Sequence, residues 1–201
     1  RYKKNKVMSL SFNEVWGILP DKSLDNLIWV ASSNGLNLID SNKNIIKQFL
    51  VNPDSKSIYN QSYIYQVLPF SPQKLLLSTA MGLRLFDTQK EKLIDLPFSQ
   101  KVRDIFAIEQ FHISITRGNL WSINKNGIYR ITLSTGELVI FPEIVNSIPI
   151  DNLWGVLGYL PESNLLLISS NNALWGFDEQ TRKMTQLYLQ PDILDSEYVS
   201  I

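Results

Sequence analysis

EVWGILPDKSLDNLIWVASSNGLNLID, Glu14 to Asp40, returns near the C-terminus as DNLWGVLGYLPESNLLLISSNNALWGFD, Asp151 to Asp178. Val15 meets Leu153, Trp16 meets Trp154, Gly17 meets Gly155 and Asp40 meets Asp178, all at one offset of 138 residues. A fixed internal period identifies a repeat architecture ahead of any local propensity. Two intermediate copies lie between. The glycine after a short apolar run recurs as Gly35, Gly82 and Gly127, with Ala173 in fourth place, at spacings of 47, 45 and 46 residues. Six residues earlier stands a large apolar residue, Trp29, Leu76, Trp121 or Leu167, and five residues later Asp40, Asp87, Thr132 or Asp178. The latter suit turn closure.

Each unit reads as four short strands. The first opens with an apolar pair spaced by three: Val15/Ile18, Ile64/Val67, Val102/Ile105 and Leu153/Val156. The second is apolar almost throughout, as in Leu27-Ile28-Trp29-Val30, which suits a strand covered on both faces. A Gly- or Asn-bearing turn leads into a third strand (Leu36–Ile39, Leu83–Phe86, Ile128–Ile131, Leu174–Phe177). A more polar fourth strand follows, Ile45–Leu50, Leu93–Leu96, Leu138–Phe141 or Met184–Leu189, as an outer edge requires. No helical stripe stands out.

Four antiparallel strands every 40 to 50 residues mark β-propeller blades. The expectation is an all-β chain, a partial propeller segment of about four blades at residues 15–53, 64–98, 102–145 and 153–190. Residues 7–12 read as an outer strand of a preceding unit, and 198–201 as the first strand of a following one. In the third unit Val102 precedes Trp121 by 19 residues, longer than elsewhere. The segment Glu109 to Arg117 therefore reads as an insertion in the first hairpin, or as a change of register.

The phrase Gly118-Asn119-Leu120-Trp121, then Asn126-Gly127-Ile128-Tyr129-Arg130-Ile131 and Thr135-Gly136-Glu137-Leu138, resembles the two-component-regulator propeller repeats of bacterial signalling proteins. So does Asn26-Leu27-Ile28-Trp29 followed by Asn34-Gly35-Leu36. In the second and fourth units leucine replaces the second-strand tryptophan, and Ala173 replaces the fourth turn glycine. The resemblance implies the periplasmic, extracytoplasmic part of an inner-membrane sensor. Its output would be a histidine kinase or diguanylate cyclase domain elsewhere. The repeat motif is structural and carries over no catalytic residue.

Composition narrows the functions. Nineteen basic and nineteen acidic residues among 201 give a net charge of zero, which favours neither nucleic acid nor an anionic membrane as partner. The basic run Arg1 to Lys6 reads as a solvated tail. With no cysteine there is neither a disulfide nor a thiolate metal site. No apolar run approaches the roughly 20 residues of a membrane span. The chain starts at Arg1 without a signal-peptide pattern, so it reads as a piece of a longer protein.

His112 is the sole histidine, which leaves a metal centre or Ser-His-Asp triad few ligands to draw on. No metal, cofactor or catalytic residue is expected, and the segment is read as non-enzymatic. Asp40, Asp87 and Asp178 repeat with the blade and read as turn residues. Trp29, Trp121 and Trp175 read as core.

A binding face is the better prospect. Propellers gather ligands where loops lead into the first strand and join the second to the third. Those positions carry Glu14 and Trp16, Tyr63 and Tyr65, Arg103 and Asp104, Asp151 and Trp154. Aromatic faces with a few carboxylates and one arginine suit a sugar or other polar organic ligand, although the same aromatics also serve inter-blade packing. The sequence thus points to a ligand-sensing propeller. A protein-interaction scaffold is the first alternative, and a propeller lyase or glycosidase the second. Open flanks of a four-blade segment would call for self-association or further blades.

Overall fold

The structure, a computed structural model, describes residues 10–21, 26–40, 45–51, 62–107, 113–124, 126–142, 153–170 and 173–189. Its strands form four antiparallel meanders arranged as β-propeller blades. The first holds β1 (Val15–Pro20), β2 (Leu27–Ser32), β3 (Gly35–Asp40) and β4 (Ile45–Phe49). The second holds β5 (Ile64–Ser71), β6 (Lys74–Thr79), β7 (Gly82–Asp87) and β8 (Lys92–Ile94). The helix α1 (Gln100–Ile105) precedes the third, which holds β9 (Ser114–Thr116), β10 (Asn119–Asn124), β11 (Gly127–Thr132) and β12 (Leu138–Phe141). The fourth holds β13 (Leu153–Leu160), β14 (Leu165–Ser170), β15 (Ala173–Asp178) and β16 (Lys183–Leu189).

Three apolar clusters fill the gaps between successive blades. Between the first two, Trp29, Phe49 and Phe86 meet with ring centroids 5.2 to 6.0 Å apart. The same rings recur one pair of blades later. Trp121 stacks on Phe141 at 6.2 Å, and Phe141 meets Phe177 edge-on at 5.1 Å. An ion pair crosses each of these interfaces, Lys47 of β4 with Glu91 and Arg130 of β11 with Glu179, from different positions of the repeat. The middle interface is built differently, around Leu83, Leu85, Val102, Phe106 and Tyr129. The structural reading of Trp29 and Trp121 holds, at 3% exposure each. Trp175 is half-buried against the last cluster.

Turn chemistry follows the repeat. The Asp87 carboxylate accepts the amides of Gln89 and Lys90 at 3.0 and 2.8 Å, and Asp178 accepts those of Gln180 and Thr181 at 2.8 and 3.3 Å. Gly82 has φ +89°, and a Cβ there would lie 2.1 Å from the carbonyl oxygen of Phe106. Backbone packs against backbone at that point, so glycine is required.

Two expectations are corrected. Val102 and Ile105 do not open a strand; they lie on α1, and the first strand of the third blade is Ser114–Thr116. A spacing of three puts two residues on one face of a helix, and Phe106 completes an i, i+3, i+4 stripe. Ser99 caps the helix by accepting the Val102 amide, and Val102 and Phe106 are buried among the blades. The supposed insertion around Glu109 to Arg117 thus contains the blade's own first strand; residues 109–112, with His112, lie outside the described residues.

The second correction concerns residues 7–12, of which 7–9 lie outside the described residues. Their described part, Leu10 to Phe12, is not a strand. Ser11 instead donates its amide to Asn37 Oδ1 at 2.8 Å and shares a hydrogen bond with Ser32 Oγ at 3.0 Å, covering part of the first blade. Residues 198–201 lie outside the described residues.

Candidate functional site

In three blades the first strand is bulged at the residue that the sequence comparison superposes. The β1–β2 pairing skips Trp16, the β5–β6 pairing skips Tyr65 and the β13–β14 pairing skips Trp154. The extra residue explains why the apolar pairs are three apart in a strand. Ile64 and Val67 flank the bulge and both pack in the core between the first two blades. Bulges re-aim a side chain and commonly border binding sites.

At the first two bulges the side chains converge. β1 lies against β5 so closely that a Cβ on Gly17 would sit 3.2 Å from the Cα of Gln66 and 3.3 Å from the carbonyl oxygen of Tyr65. Across this seam Trp16 meets Tyr63 at 6.0 Å and Tyr65 edge-on at 6.1 Å, and the two tyrosines lie 5.0 Å apart. Tyr65 is buried beneath, whereas Trp16 keeps 46% of its surface open and Tyr63 is half-buried.

A hydrogen-bond chain fixes the exposed indole. Trp16 Nε1 donates to Ser33 Oγ at 2.8 Å, and that hydroxyl donates to Glu14 Oε2 at 2.5 Å. The Ser33 amide also donates to the Glu14 carbonyl at 3.2 Å. The indole is therefore held by its polar edge while nearly half of the residue's surface stays open to solvent. Such a surface can stack on the C–H face of a sugar or on another flat group, with the Glu14 carboxylate beside it as acceptor.

Four of the eight residues singled out in the sequence, Glu14, Trp16, Tyr63 and Tyr65, are thus brought together. Arg103 and Asp104 are not. They sit on α1, where Arg103 donates to the Phe98 carbonyl at 2.9 Å and to Gln100 Oε1 at 2.5 Å. Asp104 accepts from Gln100 Nε2 at 2.6 Å. Neither has a hydrogen bond or ion pair with the aromatic cluster among the described residues. Asp151 lies outside the described residues; Trp154 is placed only by its backbone, at the bulge of β13. The residue that sequence reasoning missed is Ser33. Its signal was present, a hydroxyl in the turn that faces the first-strand bulge. Among the described residues no group of three or more His, Asp or Glu side chains is arranged to hold a metal. No helix there is long and apolar enough to cross a membrane.

No family model matches the chain, and no curated protein matches it. Solved structures do. The extracellular domain of BT3049 from B. thetaiotaomicron, described as a hybrid two-component system, superposes with a TM-score of 0.68 at 16% identity, over 92% of this chain and 25% of its own. The extracellular domain of BT4673 from the same organism, described likewise, gives 0.62 at 14% identity, over 88% and 25%. An auxiliary nutrient binding protein from Bacteroides thetaiotaomicron gives 0.57 at 12% identity, over 89% and 42%. The chain spans about a quarter of the length of the two extracellular domains. What it shares with all three is the propeller fold.

Proposed function

We propose that this chain is the ligand-sensing propeller region of an extracytoplasmic bacterial signalling protein, and that it holds a sugar or other polar organic ligand on Trp16, Tyr63 and Glu14. The observation that carries this reading is the half-exposed Trp16 indole, re-aimed by a bulge and locked by Ser33 and Glu14. A side chain that served packing alone would not need its polar edge tethered while nearly half of its surface stays open. The likeness to extracellular domains of sensor systems supports an extracytoplasmic role. The site straddles the seam between β1 and β5, so a bound ligand would contact two blades at once. Differential affinity for two packings of those blades is what would turn binding into a signal for an output domain outside this chain.

Thermal-shift screening against sugars, nucleotides and amino acids tests the reading, since a ligand that binds only the folded state raises the melting temperature. A stabilising hit that disappears in Trp16→Ala supports it; a hit that survives places the ligand elsewhere.

A second reading, protein association, rests on a different surface. The fourth blade exposes Leu157 on β13 and Leu187 and Tyr188 on β16, at 53%, 41% and 59%. Exposed apolar side chains of this kind suit a further blade or another copy of the chain. Light scattering on Leu157→Ser against the unchanged protein distinguishes association through these side chains from a monomer.

A further inference from the structure

We infer that the surface formed by Trp16, Tyr63 and Glu14 takes an alkylated ammonium group, with the cation against the two rings and its charge balanced by the Glu14 carboxylate. The inference rests on the sensing surface proposed above and names its ligand class. Aromatic rings carry negative charge on their faces, so grouped rings draw a cation, tryptophan best of all. Trp16 and Tyr63 lie 6.0 Å apart, and the buried Tyr65 is within 6.1 Å of each. Elsewhere the chain supplies such cations itself. Among the described residues Lys47 lies over Phe49, Arg117 over Tyr159, Arg130 over Trp121 and Arg182 over Phe141, at 4.2 to 6.0 Å. No described lysine or arginine lies over Trp16 or Tyr63, although Trp16 keeps 46% of its surface open.

Hydrogen bonding favours an alkylated cation over a bare amine or a sugar. The Ser33 hydroxyl is engaged twice, accepting from Trp16 Nε1 at 2.8 Å and donating to Glu14 Oε2 at 2.5 Å. The second bond joins a carboxylate to a neutral hydroxyl and so leaves the Glu14 charge in place. Among the described residues no lysine or arginine stands within ion-pair distance of Glu14. A primary ammonium has three N–H donors to satisfy and is strongly hydrated. A sugar brings several hydroxyls with the same demand. Methyl groups on nitrogen remove those donors and carry the charge into apolar contact, which suits two rings beside a fixed carboxylate.

The test is calorimetric titration with choline, with neohexanol, its uncharged isostere carrying carbon in place of nitrogen, and with ethanolamine, the same cation without methyl groups. Choline is expected to bind about ten-fold more tightly than either. Its advantage over neohexanol should shrink in Glu14→Gln and with added salt. Choline binding should be lost in Trp16→Leu and kept in part in Trp16→Phe. Both positions are exposed, and a melting curve checks that each variant folds; the three ligands on the unchanged protein decide the matter where one does not. Equal affinity for choline and neohexanol, ethanolamine binding as tightly as choline, a choline affinity unchanged in Trp16→Leu, an advantage unchanged in Glu14→Gln, or no choline binding by about 10 mM would overturn the proposal. A neutral hit that disappears in Trp16→Ala while choline stays silent overturns this inference and leaves the sensing surface standing. Choline failing together with the whole screen removes both.

Discussion

The indole N–H of Trp16 donates to Ser33 Oγ at 2.8 Å, joining a bulged first strand to the turn between the second and third strands of the same blade. The bond ties down the indole's polar edge while 46% of the residue's surface stays open to solvent. A tryptophan fixed in this way presents stacking area without losing rotamer freedom on binding.

Trp16→Ala is therefore expected to weaken a stacked polar ligand by about ten-fold or more. Ser33→Ala should weaken it less, by freeing the ring rather than removing it. Isothermal titration with a ligand found by thermal-shift screening checks both. Because Trp16 is half-exposed, neither change should unfold the chain.

Gly82→Ala should be among the more damaging single-methyl additions. The positive φ disfavours any L side chain, and the added Cβ would press on the Phe106 carbonyl and on Ala107. The combined cost is about 2–4 kcal/mol, measured by urea denaturation.

Phe86→Ala removes a fully buried ring that touches both Trp29 and Phe49 across the first interface. A loss of about 3–5 kcal/mol is expected in the same assay. Phe177→Ala should behave alike, because Phe177 occupies the equivalent place beside Phe141.

Acid should loosen two of the turns. The Lys90 amide, foremost, holds the Asp87 carboxyl below the usual carboxylate range, and the Thr181 hydroxyl does the same at Asp178. With a folded pKa lower than the unfolded one, near 3.9, each carboxylate contributes stability in full above that value and loses it as pH falls through the folded pKa. Wild-type stability should accordingly decline below about pH 4, while Asp87→Asn/Asp178→Asn shows a flatter acid limb. Melting curves between neutral and acidic buffer provide the comparison.

Much of this molecule could be read from spacing alone. The echo at Trp16 and Trp154, the three turn glycines and the recurring aspartates reflect the fact that each blade must bury both of its faces against neighbours, so its apolar and turn positions repeat. Four strands per unit, the buried roles of Trp29 and Trp121 and the turn roles of Asp87 and Asp178 followed from that periodicity. Pairs spaced by three were ambiguous, because that spacing fits a strand with a bulge and equally one face of a helix. At Ile64/Val67 the bulge prevailed; at Val102/Ile105 a Ser99 cap and a buried Phe106 favoured the helix. Only side-chain packing decides between the two, so the tertiary structure moved Arg103 and Asp104 away from the bulge position. It also brought Glu14, Trp16, Tyr63 and Tyr65 together across two blades and added Ser33. Proximity between residues about 50 positions apart depends on how one blade seats on the next, which no local pattern encodes.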